Sequence, residues 1–230
     1  MSDPASLRLN GTDLLADLSG ALFWPARRLL AVADLHLEKG SGFAARGQLL
    51  PPYDTAQTLA RLADAIERHE PETVICLGDS FHDGSAAERL GRADGERLAG
   101  LIRGSRWIWI TGNHDPAPPA DLGGIVQAEF ILGPLLFRHI AVAAPSSGEV
   151  SGHFHPKAAF SWRGRRVGGR CFIGDERRLI LPAFGAYAGG LDVRDPAIAG
   201  LFGGRARVHI LGQRRLHSFA AGQLAYLPSM

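Results

Sequence analysis

The sequence predicts an α/β fold with a sheet that is parallel in at least part. Two observations carry that prediction: three strand-like segments alternate with helical periodicity, and each segment runs directly into a polar cluster. The composition agrees, since 230 residues with 46% hydrophobic and 21% charged side chains can bury a large core in one domain but are short for two. The same balance argues against intrinsic disorder.

The first strand is expected over 29–33, an apolar run that ends at Asp34. A helix follows the Pro51-Pro52 punctuation, with Asp54 as its cap and Leu59, Leu62, Ala63 and Ile66 at i, i+3, i+4, i+7 spacing. The second strand, 73–77, contains Cys76 and leads into Gly78-Asp79. A second helix is expected from a Ser85/Glu88 capping box, an apolar face of Leu90, Leu98, Leu101 and Ile102, and a stop at Gly104. In the third strand, 107–110, Trp107 and Trp109 alternate with Ile108 and Ile110, the pattern of a strand covered on both faces. After Pro156 the pattern shifts to short pieces between glycines (170–173, 178–181, 208–211, 216–219), which predicts a more antiparallel region. Gly185 to Gly190 lacks a P-loop lysine and reads as tight turns.

No apolar run approaches the roughly 18 residues of a membrane span, and the N-terminal residues lack a signal-peptide layout, so a cytoplasmic location is expected. Cys76 and Cys171 have no CxxC spacing and read as small buried hydrophobes. The net charge of +2 conceals a partition: residues 1–156 carry 13 basic and 19 acidic side chains (13 − 19 = −6), and 157–230 carry 12 and 4 (12 − 4 = +8). A basic C-terminal third suggests an anionic partner.

The polar clusters at the strand ends carry the chemistry. They are Asp34-Leu35-His36, Gly78-Asp79-Ser80-Phe81-His82-Asp83 and Gly112-Asn113-His114-Asp115, followed by His139 and Gly152-His153-Phe154-His155. Six of the nine histidines fall in them, which scattered surface histidines would not explain. Asp34 and His36, two apart, would project to one side of an extended strand end, and His153 and His155 repeat the spacing. In open α/β sheets ligands bind beyond the carboxyl ends of the strands. Asp, Asn and His without sulfur suit divalent manganese, iron or zinc, and there are too many candidates for one ion. Two ions sharing a carboxylate are the arrangement used for displacement at phosphorus, which points to a two-metal phosphoesterase.

The series DxH, GD, GNHD, a lone His and GHxH, in that order, resembles the calcineurin-like metallophosphoesterase superfamily. The resemblance implies a single domain over 1–230 with a central β-sandwich flanked by helices, a four-layer αββα arrangement. By motif, Asp34, His36, Asp79 and His155 would hold the first ion, Asp79 would bridge, and Asn113, His139 and His153 would complete the second site. The ions would be manganese first, with iron or zinc also suited, and the bridging hydroxide would be the nucleophile. His114 would be the non-ligand histidine that stabilises the phosphoryl oxygens or protonates the leaving alkoxide.

His82 stands where many phosphatases of the superfamily carry Asp, and GDSFHD is similar to the GD-x-F-H of its double-strand-break repair nucleases. ADLHLEKG at 33–40, FRHI at 137–140, SGHFHPKA at 151–158 and LPAFGAYAGGLDV at 181–193 resemble the bacterial ligase-associated DNA damage response phosphodiesterases and endonucleases. The resemblance implies DNA as substrate, with a DNA ligase and a helicase as possible partners in repair. His82 is expected to contact substrate, whereas Asp83 and Asp115 orient backbone or histidines, and His69, His209 and His217 are surface or structural. Arg163, Arg165 and Arg166 in the basic segment 157–178 are candidate contacts to a phosphate backbone, with a solvated hairpin as the plain reading; Trp162 beside them packs more readily than it stacks on a base. Two alternatives stay open: a phosphomonoesterase acting on nucleotides or phosphoproteins, and an accessory DNA-binding subunit of a ligase and helicase assembly.

Overall fold

The computed structural model describes residues 4–115, 120–144, 148–162 and 165–224. It opens with an antiparallel meander that the periodicity did not announce: β1 (Ala5–Leu9), β2 (Thr12–Ala16) and β3 (Leu22–Trp24). Asn10 and Gly11 close the first turn with φ of 46° and 75°, the left-handed pair that a tight two-residue hairpin needs. β3 pairs antiparallel with β4 (Leu29–Val32). From there the pairing is parallel, through β5 (Thr73–Leu77), β6 (Arg106–Ile110) and β7 (Ile125–Gln127), giving a seven-stranded sheet in sequence order. Between these strands lie α1 (Lys39–Ala44), α2 (Asp54–His69), α3 (Ala86–Arg89) and α4 (Arg92–Arg103).

The second sheet contains β8 (Glu129–Leu132), β9 (Leu135–Arg138), β10 (Gly148–Ser151), β12 (Arg165–Gly174), β13 (Arg178–Ile180), β14 (Arg207–Leu211) and β15 (Leu216–Ala220). β11 (Lys157–Trp162) pairs with β12, with a further isolated bridge from Lys157 to Asp192, and α5 (Pro196–Ala199) is a single turn capped by Asp195. The region after Pro156 is largely antiparallel, as expected, but β13 joins β10 in parallel, and so does β9. Both sheets therefore present parallel strands whose carboxyl ends point to the same pole.

The middle strands of the first sheet, β3 to β6, are buried on both faces, which is why their segments read as continuous apolar runs. Leu29, Ala31, Ile75, Leu77, Ile108 and Ile110 meet Leu135, Phe137, Val150, Phe172 and Leu179 of the second sheet. The alternate residues Leu30, Val32, Val74, Cys76, Trp107 and Trp109 pack against Leu59, Leu62 and Ala65 of α2 and Leu98 and Ile102 of α4. The outer face of the second sheet is covered by β11, α5 and loops, with Phe160 stacked near Phe219 at 4.6 Å and Ile198 and Phe202 over Ile173 and Val208. The result is the helix-flanked β-sandwich that the motif series implied. Cys76 and Cys171 are buried and free.

Three local expectations are corrected. Asp54 lies inside α2 rather than capping it, and its carboxylate instead accepts the backbone N–H of Gly40 at 2.9 Å, tying α1 to α2. Ser85 precedes α3 but makes no side-chain cap bond, and the anticipated single helix is split, because Leu90 and Gly91 adopt extended conformations before α4. The first strand ends at Val32, and Ala33 makes an isolated parallel bridge to Ala183.

A candidate dinuclear metal centre at the strand ends

The sequence-selected residues converge at the shared carboxyl pole. Asp34 and His36 leave β4, Asp79 leaves β5, Asn113 and His114 leave β6, His139 leaves β9, and His153 and His155 leave β10. The side chains reach the centre by a different route from an extended strand end, however. Asp34, His36, Asp79, His153 and His155 all have positive φ (54°, 44°, 46°, 71° and 47°), five of the nine such non-glycine residues among those described. A left-handed residue turns the chain sharply, and these five lie in the loops after β4, β5 and β10. Such conformations are sparsely populated, though Asp and His tolerate them better than most, and they persist only where the surroundings enforce them. Here Asp34 N–H bonds Gly78 O, and His36 N–H bonds Asp79 O at 2.9 Å, lacing the loops after β4 and β5 together. Gly78, itself at φ 76°, lies flat against the His139 ring, where a Cβ would collide.

Two groups of side chains could each hold a cation: Asp34, His36 and His155, and Asp79, His139 and His153, each with ligand atoms within 4.8 Å of one another. In the first, His36 Nε2 and His155 Nε2 face one another at 3.2 Å, His155 Nε2 is 3.6 Å from Asp34 Oδ1, and the buried His36 Nδ1 has no partner among the described residues. In the second, His139 Nδ1–H donates to Leu77 O at 2.9 Å, so the lone pair of the neutral ring lies on Nε2. That nitrogen faces Asn113 Oδ1 at 2.9 Å, His153 Nδ1 at 3.2 Å and Asp79 Oδ2 at 3.4 Å. Lone pairs thus converge on lone pairs, an arrangement that calls for positive charge between them. The donor set of carboxylate, amide oxygen and imidazole fits divalent ions.

The protonation tendencies express the same crowding. Burial and the neighbouring His155 pull the His36 imidazole down to about 3, so it is neutral, as a ligand must be. Burial alone would raise Asp79, but the His139 contact and the backbone N–H of His114 hold its carboxylate well below the usual range. Against its burial, Asp79 and Asp34 raise the pKa of His139, which therefore tends to take up a proton in place of an ion.

His114 sits at the mouth and is exposed. Its N–H donates to Asp79 Oδ1 and its Nδ1–H to His82 O, both at 2.9 Å, which fixes the ring and leaves Nε2 for a substrate. His82 lies deeper, 7% exposed, stacked between Phe43 at 5.8 Å and His114 at 5.7 Å, with neither ring nitrogen bonded to a partner among the described residues. Asp115 behaves as expected, accepting the N–H groups of Ser80 at 2.7 Å and Phe81 at 3.0 Å and so shaping the loop that carries Asp79. Burial, reinforced by the Asp79 charge, pushes it up to about 7 against the pull of those bonds. Asp83 accepts Ser85 N–H and pairs with Arg89, which also donates to Ser41 of α1.

Sequence reasoning missed Phe43, whose only signal was an aromatic in the Gly-rich segment Gly40-Ser-Gly42-Phe43. A Cβ on Gly42 would stand 2.8 Å from the His82 ring, so this glycine lets α1 close over His82. Also missed was Glu38, buried and held by the hydroxyls of Thr55 at 2.9 Å and Ser41 at 2.6 Å, which anchors α1 behind the site.

The basic segment does not form one face. Arg170 is partly buried and donates to Ala183 O at 2.6 Å, and Arg178 is buried beneath Phe202. Arg163 lies outside the described residues, and Arg165 and Arg166 are placed by backbone pairing opposite Trp162 and Ser161 in the β11–β12 hairpin. His69 and His209 are structural, bonded to Asp17 and to Ser218. No helix among the described residues is long and apolar enough to cross a membrane.

A profile described as Calcineurin-like phosphoesterase matches residues 27–166, the span that contains all of these motifs. Among solved structures, the chain is similar to the nuclease MPE of Pseudomonas putida, with 30% identity and a TM-score of 0.75, covering 94% of this chain and 100% of that one. It is also similar to YfcE, a phosphoesterase from E. coli, with 14% identity and a TM-score of 0.43 over 84% of this chain and 98% of that one. No curated protein matches it.

Proposed function

The chain belongs to the calcineurin-like phosphoesterase family, whose members are metal-dependent hydrolases, and from that premise we propose that it is a two-metal phosphodiesterase acting on DNA in bacterial repair. The observation that carries this reading is the meeting of two acceptor-lined triads with a fixed, exposed His114 at one mouth. The likeness to a Pseudomonas nuclease over nearly the whole chain supports nucleic acid over a small monoester.

Asp34, His36 and His155 would hold one ion and Asn113, His139 and His153 the other, with Asp79 shared; manganese suits this mixed oxygen and nitrogen set. Two such ions supply Lewis-acid polarisation of the phosphoryl group and an activated water. The remaining work falls to side chains. His114, with Nδ1–H fixed on His82 O, would when protonated donate Nε2–H to a phosphoryl oxygen or pass that proton to the leaving alkoxide. His82 would contact substrate with a ring nitrogen, neither of which has a partner among the described residues, and its stack sets the plane of His114. Arg163, Arg165 and Arg166 would contact flanking phosphates, a contribution that salt weakens. A DNA ligase and a helicase would be its partners.

The test is turnover by manganese-loaded protein on bis-p-nitrophenyl phosphate, p-nitrophenyl phosphate and labelled DNA. Diester and DNA cleavage in preference to the monoester is the expected result. A preference for the monoester with no DNA cleavage would overturn the diesterase reading.

A further inference from the structure

The pole opposite the metal centre carries a second feature that the hydrolytic reading does not use. Leu9 pairs with Thr12 at the far turn of β1 and β2, and Arg178 begins β13, so both lie at the end of the sandwich remote from Asp34 and His153. There a hollow of about 430 Å³ opens between β1, the turn after β12 and the start of β14. Leu7, Leu9 and Leu179 line it with apolar surface, and Arg8, Arg177, Arg205 and Arg207 stand around it. No carboxylate lies within 4.0 Å of Arg205 or Arg207 among the described residues. Of the two acids that also line it, Asp175 is engaged through Oδ1 with the backbone N–H groups of Arg177 and Arg178, and Glu176 is exposed. His209 reaches the hollow from β14, with Nδ1 already bonded to Ser218 Oγ at 2.7 Å, which leaves Nε2 to offer.

A second, adjoining hollow of about 430 Å³ shares Asp175, Arg177 and Arg205 with the first. It is lined also by Arg178, only 3% exposed, whose Nη1 is buried without a hydrogen-bond partner among the described residues. A buried guanidinium nitrogen without an acceptor is unusual and calls for one. A concave hollow with apolar lining and a few convergent cations is the form of a small-molecule site, and arginine forks match phosphate geometry.

We propose that this remote hollow binds a small organic phosphate with an apolar ring-bearing body, the chemistry of a mononucleotide. The apolar lining takes the ring, and Arg205 and Arg207 take the phosphate. The site is separate from the metal centre by its place in the fold and does not depend on the substrate assigned there.

Hydrogen exchange on the metal-loaded protein, with dAMP or inorganic phosphate as probe, tests this directly. The expected result is that dAMP slows exchange over 174–179 and 205–209, that inorganic phosphate at the same concentration does not, and that the double charge reversal R205E/R207E weakens this protection about tenfold or more. Because both arginines are exposed, that variant should keep the melting temperature and p-nitrophenyl ester turnover of the parent; Arg207→Gln, which keeps the stem, provides a milder second variant. Protection confined to the metal loops, protection that survives both variants, or equal protection by inorganic phosphate would each overturn the proposal.

Discussion

Two Asp–His clusters in this molecule use the same side chains to opposite ends. In the first, Asp17 is buried and surrounded by donors: Ser19 N–H at 2.7 Å, Arg68 at 2.8 Å and the His69 ring at 3.0 Å, with His69 stacked on Phe23 at 4.5 Å. In the second, Asp34, Asp79 and four histidines face one another through acceptors, and several of their backbones are left-handed. The Asp17 cluster is electrostatically complete and serves the fold. The metal cluster is incomplete without cations, and the fold holds it in place. A buried carboxylate therefore reveals its role by what surrounds it, and the two clusters should respond oppositely to mutation.

The largest divergence is expected from removing the central carboxylates. Asp79→Ala should lower turnover by three or more orders of magnitude, because several kcal/mol of transition-state stabilisation goes with the ions at about 1.4 kcal/mol per factor of ten. Its metal-free melting temperature should hold or rise as acceptor crowding is relieved. Asp17→Ala should do the reverse, keeping activity while losing about 2–3 kcal/mol of stability, read from urea midpoints. Parallel behaviour of the two variants would break the comparison.

His114→Ala comes next, with turnover down by about 10²–10⁴-fold and metal stoichiometry unchanged, if its proposed role beside the ligands holds. Loss of metal in that variant would make it a ligand. Manganese should raise the melting point of the parent with concentration, by about 2.7 kcal/mol of stability at a hundred times the dissociation constant, and leave Asp79→Ala much less affected.

Acid should act on the two kinds of group in sequence. Burial, aided by the Arg207 charge, pulls His209 down to about 4, so the folded state prefers it neutral, and stability falls as the pH drops from about 6.5 toward 4. Asp17, held below the usual carboxylate range against its own burial by His69, Ser19 and Arg68, contributes stability that is present above about pH 4 and lost as the pH falls further. In Asp17→Ala the second decline should shrink in a urea-midpoint profile, with Asp79 still contributing to it, and the first should remain. The smallest effect, a several-fold drop in turnover with unchanged metal binding, is expected of Phe43→Ala, which removes one side of the His82 stack.

What could be read in advance follows the same division. Every residue of the two triads was legible, since Asp, Asn and His recur at strand ends in numbers that a core does not need. Their backbone was not, because spacing by two suggests an extended chain, and the left-handed turns depend on bonds between loops distant in sequence, those after β4, β5, β9 and β10. β10 escaped notice because Glu149 stands fully buried within it, accepting Val142 N–H and pairing with Arg138, a polar residue that hides the strand's apolar pattern. Asn10-Gly11 was a readable hairpin signal that went unused. Gly91, a weak helix former, marks in the sequence the point where the helix that Ser85 and Glu88 predict divides in two. The arginines of the C-terminal third were countable, but their distribution among a buried contact to Ala183, a contact to Phe202 and a remote hollow depends on tertiary packing.

The central claim is that these acceptors form one dinuclear centre. Anomalous diffraction at the manganese edge from crystals soaked in Mn2+ tests it most directly. Two adjacent peaks are expected, one within the Asp34, His36 and His155 group and one within the Asp79, His139 and His153 group, with both lost in Asp79→Ala crystals or reduced to one. A single peak in the parent, or none at this pole, would contradict it.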